Sequence, residues 1–544
     1  MDTGAASSQP QFSTSGIVRL TKPQLAGTLT GLLLAMLLAA LDQTIVGTAE
    51  PRIIAQLSGF DRYPWVATAY MLTSTVSVPI FASLSDTFGR KRFFTLGAAL
   101  FVLTSALCGA AGLVTFLPID GMNQLILFRG LQGIGAGMVM GLAFTIIGDI
   151  FSPAERGRYQ GLFAAVWGLS SIFGPTLGGW LTDSVSWRAC FLVNLPVGVV
   201  AVTAIWLELP DFRPARSGRR LDWAGFATLI GCVVPLLLAL TWATGDGWGS
   251  TRVTSLLGLS AAMALAFIYA ETRAPEPLLP LTLFRHPVIA ICSICVFVLG
   301  MGMFGVIIYL PLFMQGVLGV TPTQSGNLLT PMMIGAVCGS IASGQLIART
   351  GRYKGAAIAG SIMVAAAMIG FANMQEDTSL QYLVATMIVA GLGMGLLQPV
   401  YTVAVQNVAP REQMGAATAS TVFFRSIGST VGVAVFGTLM LGRYARVFSA
   451  RLPEGVPADA LPFFSNPLML AEARPNVEAI LSRTADAPGL AQALFSNVRV
   501  ALTAGLHGIF VWSAAIMGAS VLLHLALRGE PLKSRHVDAE SAMP

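Results

Sequence analysis

Fourteen apolar runs are spaced along the chain, each near the ~20 residues that a helix needs to cross a ~30 Å hydrocarbon core. The first is 24–51 and the last 501–528. In lipid the backbone must satisfy its own hydrogen bonds, so such runs are helices, and they are too long and too uniformly apolar for barrel strands. The expected fold class is an all-α integral membrane protein with 14 transmembrane helices. Composition agrees. Of the 544 residues, 54% are hydrophobic and 11% charged, less than half the ~25% charge of an average soluble domain. That argues against a soluble enzyme, a disordered chain and a charge-built nucleic-acid binder. The 58 glycines suit closely packed membrane helices. All six cysteines lie in or beside apolar runs, which predicts no structural disulfide. Cys292 and Cys295 form a C-x-x-C without the second pair that a metal site would want.

The net charge of +6 resides in short loops and sets orientation rather than partners. With the N-terminus inside, the inner segments hold 20 Lys and Arg, including Arg90, Lys91, Arg92, Arg156, Arg158, Arg213, Arg216, Arg219, Arg220 and Arg411. The short outer segments hold Arg52, Arg62, Arg188 and Arg252. This asymmetry predicts a multi-pass protein of the plasma (inner) membrane with both termini cytoplasmic. Residues 1–23 lack the apolar core of a signal peptide. Residues 441–500 read as a solvated outer cap, with a helical patch at Val477–Ser482.

The chain also repeats. Ala82-x-Leu84-x-Asp86-x-x-Gly89-Arg90-Lys91-Arg92 follows the second run, and Gly344-x-Leu346-x-Ala348-x-x-Gly351-Arg352-Tyr353-Lys354 follows the tenth, 262 residues on. Pro153-x-Glu155 and Pro410-x-Glu412 echo at 257 residues. Two six-helix bundles with an inserted pair explain both offsets, and parallel repeats of this kind mark rocking-bundle transporters. The organisation expected is a polar tail at 1–23, an N-terminal bundle at 24–208, linkers with inserted helices seven and eight at 209–287, a C-terminal bundle at 288–528 that includes loop 441–500, and a tail at 529–544.

Five stretches carry chemistry. In the first run, Leu41-Asp42-Gln43-Thr44-Ile45-Val46 puts a carboxylate deep in a span, where it costs about 2.5–3.5 kcal/mol by insertion scales. Arg129, in the fourth run, sits within ~3 Å of the same depth at 1.5 Å rise, and a buried Arg needs a partner. Asp42 and Arg129 therefore read as an ion pair that protonation of Asp42 would weaken. Glu50 lies eight residues beyond Asp42. It reads either as a second protonation or cation-attracting site, or as an interfacial residue paired with Arg52 or Arg62. The 82–92 loop gathers Asp86, Gly89, Arg90 and Lys91 at the inner end of the second run, with Gly89 allowing a tight turn and Asp86 able to cap a helix N-terminus or face one across the cytoplasmic seam. In the fifth run, Gly174-Pro175-Thr176-Leu177-Gly178-Gly179 pairs a helix-bending proline with close-packing glycines. Trp187-Arg188-Ala189-Cys190-Phe191-Leu192-Val193-Asn194 opens the sixth run, with Trp187 placed as an interfacial anchor. Arg425 sits at mid-span within Phe423-Phe424-Arg425-Ser426, with no deep acid in runs nine to fourteen to pair with it, and is a cavity candidate. His507 and His524 read as satisfied polar residues.

Together these stretches resemble the fourteen-helix drug:proton antiporter branch of the major facilitator superfamily, the EmrB/QacA type. Its patterns are L-D-x-T-I-V, G-x-L-x-D-x-x-G-R-K, G-P-x-x-G-G and W-R-W-x-F-x-I-N-x-P-x-G. Ala82 replaces the first Gly of the second pattern, and Glu50 stands where the branch usually has an apolar residue. The resemblance implies the major facilitator fold and export of small amphipathic compounds against protons by alternating access. It gives Asp42 and Arg129 a role in proton coupling, and Asp86 and Arg90 a lock on the cytoplasmic side. Gly174, Pro175, Gly178 and Gly179 match its antiporter motif. No P-loop appears, so the expected energy source is the proton gradient, without cofactor or metal. Lipid and substrate are the expected partners, nucleic acid is not, and a monomer is compatible with this reading. Rival readings are an exporter of one metabolite, lipid or siderophore, and a non-transporting membrane sensor. No nucleophile–base constellation points to an enzyme.

Overall fold

Helices account for every predicted run. The computed structural model describes residues 20–115, 117–151, 153–211, 222–275, 277–410, 413–453, 456–457, 459, 461–464, 480–481 and 487–530. We number the long helices α1 Lys22–Leu57, α2 Tyr63–Phe88, α3 Arg90–Gly109, α4 Gly121–Ile150, α5 Pro153–Ser184, α6 Asn194–Glu208 (preceded by a helical turn, Ala189–Leu192), α7 Trp223–Asp246 and α8 Thr251–Arg273. The series continues with α9 Pro287–Gly316, α10 Pro322–Thr350, α11 Lys354–Ala372, α12 Leu380–Val408, α13 Met414–Ala450 and α14 Ala487–Ala526. Among the described residues, 13 helices are long and apolar enough to cross a membrane. Large apolar side chains such as Leu103, Leu265 and Leu522 stay more than half exposed, an outer surface suited to lipid rather than water.

Two compact units emerge. One comprises residues 1–236, 257–278 and 321–326, and the other 237–256, 279–320 and 327–544. The inserted pair is shared, with residues 223–236 and 257–273 in the first unit and 237–256 in the second. Within the first unit α1 packs on α5 and α6, and α3 on α4 and α6. Within the second the same pairings return eight helices later: α9 packs on α13 and α14, and α11 on α12 and α14. The sequence echo is therefore an echo of packing. It extends to single residues: Gly89 and Gly351 hold the matching turns at φ 108° and 65°, the left-handed region that glycine enters without steric cost.

The predicted cap at 441–500 needs correction. Helix α13 continues to Ala450 and α14 starts at Ala487, so much of the supposed loop is helical. Hydropathy counting ends a span where charge begins, but these extensions are amphipathic and build a small core of their own. Tyr444 donates to the carbonyl of Phe464 at 2.8 Å, Phe448 stacks between Tyr444 and Phe464, and Asn497 donates to the Phe448 carbonyl at 3.0 Å. Of the patch at Val477–Ser482, residues 480–481 are helical and the rest lie outside the described residues. Also outside them are the tails 1–19 and 531–544, Arg213, Arg216, Arg219, Arg220, Arg411, Glu412, Arg474 and Arg483, and the side chains of Asp86, Glu155, Arg156 and Arg158.

Candidate functional site

The deepest charges of the first unit meet in one knot. Asp42 on α1 and Arg129 on α4 are 0% and 2% exposed, and Arg129 Nη1 lies 2.5 Å from Asp42 Oδ2. The remaining oxygen, Oδ1, accepts from Gln132 Nε2 at 3.0 Å and from Asn194 Nδ2 at 3.2 Å. Ser105 on α3 accepts from both amides, at 3.1 and 3.0 Å, and its own hydroxyl donates to the Phe191 carbonyl at 2.9 Å. Arg129 also donates to Gln132 Oε1 at 2.8 Å and to the Val66 carbonyl at 3.3 Å, and its guanidinium lies 4.2 Å from the Tyr70 ring centroid. Helices α1, α2, α3, α4 and α6 thus converge on one carboxylate. A buried ion pair is tolerable only where the remaining lone pairs and protons find partners, and here the neutral amides supply them.

Sequence reasoning named the two charges and missed their neutral partners. Gln132 was legible, three residues after Arg129 and so on the same helical face. Asn194 stood in a stretch valued only as a family signature, and its side chain in fact completes the carboxylate's shell. Ser105 and Tyr70 carried no signal in an apolar background.

Glu50 is buried, 1% exposed, and so is not in contact with the outer water. Arg62 is committed elsewhere: it pairs with Asp120 at 2.8 Å and with Asp61 at 3.4 Å. Asp120 caps α4 through the Asn123 amide at 2.8 Å. Partial burial works against the charge on Asp120, but that amide and the Arg62 guanidinium outweigh it and hold its carboxyl below the ordinary carboxylate range. Trp187 is also buried, 1% exposed, with its indole N–H donating to Gln56 Oε1 at 2.8 Å. It braces the sixth span against α1 rather than anchoring the chain at the membrane surface.

At the turn after α2, Arg90 is 5% exposed and donates from Nε to Asp149 Oδ2 at 2.8 Å and from Nη1 to Ser85 Oγ at 2.6 Å. It therefore ties the α2–α3 corner to the C-terminal turn of α4, with Asp149 a partner that the motif does not contain. Lys91 Nζ lies 5.6 Å from the Trp206 ring centroid on α6.

The glycine-rich stretch of α5 is a seam against α1. A Cβ on Gly174 would collide with the Thr44 side chain, and one on Gly178 with the Ile45 carbonyl and Thr48. Thr44 donates across the seam to the Ser170 carbonyl at 3.0 Å. Pro175 removes the donor for the carbonyl one turn earlier and loosens the helix there. Gly179 lies against Pro322 and Thr323, where Asp183 accepts from the Thr323 amide at 2.8 Å and from its hydroxyl. Gly178→Ala forces backbone against backbone at Ile45, so a loss of about 1–3 kcal/mol in unfolding free energy is expected, read as a lowered Tm in detergent.

In the second unit Arg425 is half-buried on α13, and its Nη1 donates to Gln398 Oε1 on α12 at 3.0 Å. No carboxylate pairs with it among the described residues. His524 is buried, with Nδ1 2.7 Å from the Ser520 carbonyl and Nε2 2.9 Å from the Tyr401 hydroxyl. A proton on Nδ1 satisfies both contacts with a neutral ring.

A family model described as Major Facilitator Superfamily matches residues 32–433. The chain is 37% identical over 523 residues to the multidrug transporter protein MdtP of Bacillus subtilis, covering 94% of each. It is 38% identical over 411 residues to multidrug resistance protein 3 of the same organism, covering 75% of this chain and 78% of that one. Among solved structures, a bacterial homologue of the human lysosomal transporter Spinster superposes with a TM-score of 0.64 at 17% identity, covering 94% of this chain and all of that one. This last likeness is one of fold.

Proposed function

The chain belongs to the major facilitator superfamily and is a multi-pass membrane transporter; from that premise we propose that it exports small amphipathic compounds from the cytoplasm in exchange for protons. The observation that carries this reading is the closed knot around Asp42. A proton on Asp42 Oδ2 cancels the charge that holds Arg129, while Gln132 Oε1 and the Val66 carbonyl remain as acceptors for the guanidinium. Helices α1, α2, α3, α4 and α6 all contribute to the knot, so one proton changes the balance of forces among five helices. Each charge that crosses 100 mV releases about 2.3 kcal/mol, enough for useful accumulation. Export rather than import is supported by the glycine-rich α5 seam and by the names of the two Bacillus relatives. The charge asymmetry of the loops supports the plasma membrane with both termini inside.

The test is transport by purified protein in liposomes loaded with ethidium. Efflux is expected to need an imposed pH gradient and to stop when an uncoupler collapses it. Efflux indifferent to the gradient would remove proton coupling. A cargo panel in which one metabolite or lipid alone moves would turn the reading to a dedicated exporter, and no movement of any cargo would favour a sensor.

A further inference from the structure

We propose that Glu50 is a second proton site, held as the neutral acid, whose proton is displaced by the cationic group of a lipophilic substrate. This deepens the proton-coupled export reading and rests on it for the cargo.

Glu50 differs from Asp42 in every respect that matters for proton exchange. Asp42 has a cation and two amides on its oxygens. Glu50 is equally buried, and its Oε1 meets no hydrogen-bond donor. Among the described residues no ion pair reaches it, and the Arg129 guanidinium is already spent on Asp42. Among the described residues, the other elements packed on α1 offer no alternative partner. On α4 the remaining acid is Asp149, tied to Arg90. On α5 the described titratable side chain is Asp183, which accepts from Thr323. The turn before α6 holds Cys190, α6 holds Glu208 beside Gly27 at the far end of α1, and Arg188 donates to the carbonyls of Gly109 and Ala111. Tyr63 and Tyr70 are the titratable groups of α2 with described side chains. On α1 itself Arg52 lies two residues on, about 200° around the helix. An ionised carboxylate is not stable in such a place, so the group keeps its proton.

The same helix shows how that proton can be reached. Gln43, Gly47 and Glu50 follow at four- and three-residue spacing and share one stripe of α1. Gln43 and Gly47 are partly exposed, and nothing lies within 4 Å of a Cβ built on Gly47. The stripe is open one turn before Glu50, and Pro51 leaves the Gly47 carbonyl without its helical donor. A lipophilic cation that enters along this stripe meets the carboxylate as its counter-ion once the proton has left.

The experiment uses full-length protein in nanodiscs with two readouts. Infrared difference spectra between alkaline and neutral pH are expected to show the carbonyl stretch of a protonated carboxylic acid, lost in Glu50→Gln and kept in Asp42→Asn. Addition of tetraphenylphosphonium is expected to release protons from wild type but not from Glu50→Gln, whose affinity for this cation falls about tenfold while that for neutral chloramphenicol is unchanged. A missing band, or a band that survives in Glu50→Gln, overturns the proposal. So does proton release that persists in Glu50→Gln, a band without release, or equal loss of both ligands, which marks a packing role. Failure of the export reading looks different: gradient-independent efflux in wild type with the Glu50 band in place.

Discussion

Arg129→Leu is expected to cost the folded protein about 3–5 kcal/mol, because it leaves Asp42 as a buried charge held only by two neutral amides. Gln132 Nε2 and Asn194 Nδ2 remain on Oδ1, but Oδ2 loses its one partner among the described residues, and the cation over the Tyr70 ring disappears as well. Thermal unfolding in detergent measures the loss. The double variant Asp42→Asn with Arg129→Leu separates the causes. Removing both charges is expected to return most of the stability, since the orphan charge rather than the missing contact dominates. A single-variant loss below about 1 kcal/mol, the worth of an exposed pair, would mean that the knot is open to water.

Asp42→Asn is expected to abolish gradient-driven efflux while leaving the protein folded. The amide is isosteric and retains an oxygen for Gln132 and Asn194, but it can neither carry a proton nor balance Arg129. Uphill ethidium transport in liposomes is expected to fall by at least about tenfold, to the passive leak, equivalent to 1.4 kcal/mol or more in the coupled step. Ethidium binding is expected to stay within a few-fold of wild type, which separates coupling from recognition. Uphill efflux that survives the substitution would move the coupling site to Glu50.

How far the sequence reached depended on what kind of signal each residue left. Charges in apolar runs are costly and therefore conspicuous, so Asp42, Arg129, Glu50 and Arg425 stood out. Depth along a helix follows from counting residues, which was enough to match Asp42 with Arg129. Rotation about the helix axis and the choice of neighbour do not follow from counting. That is why Ser105, fourteen residues along α3 from the nearest named site residue, Lys91, was invisible, and why Trp187 was placed at the surface. The two readings of Glu50 could not be separated until its burial was known, because they differ in environment rather than in position along the chain. The ends of α13 and α14 were missed for another reason: helices that leave the bilayer stop being apolar but do not stop being helices. The repeat was legible to the residue, down to paired glycines in left-handed turns at Gly89 and Gly351.

The central claim is obligatory exchange of substrate for protons through the Asp42 knot. It is tested most directly by trapping a pH-sensitive dye inside liposomes containing the protein and letting ethidium run down its own gradient. In wild type the dye is expected to report protons driven in the opposite direction, with Asp42→Asn silent. Ethidium flux in wild type without any accompanying proton movement would contradict the account.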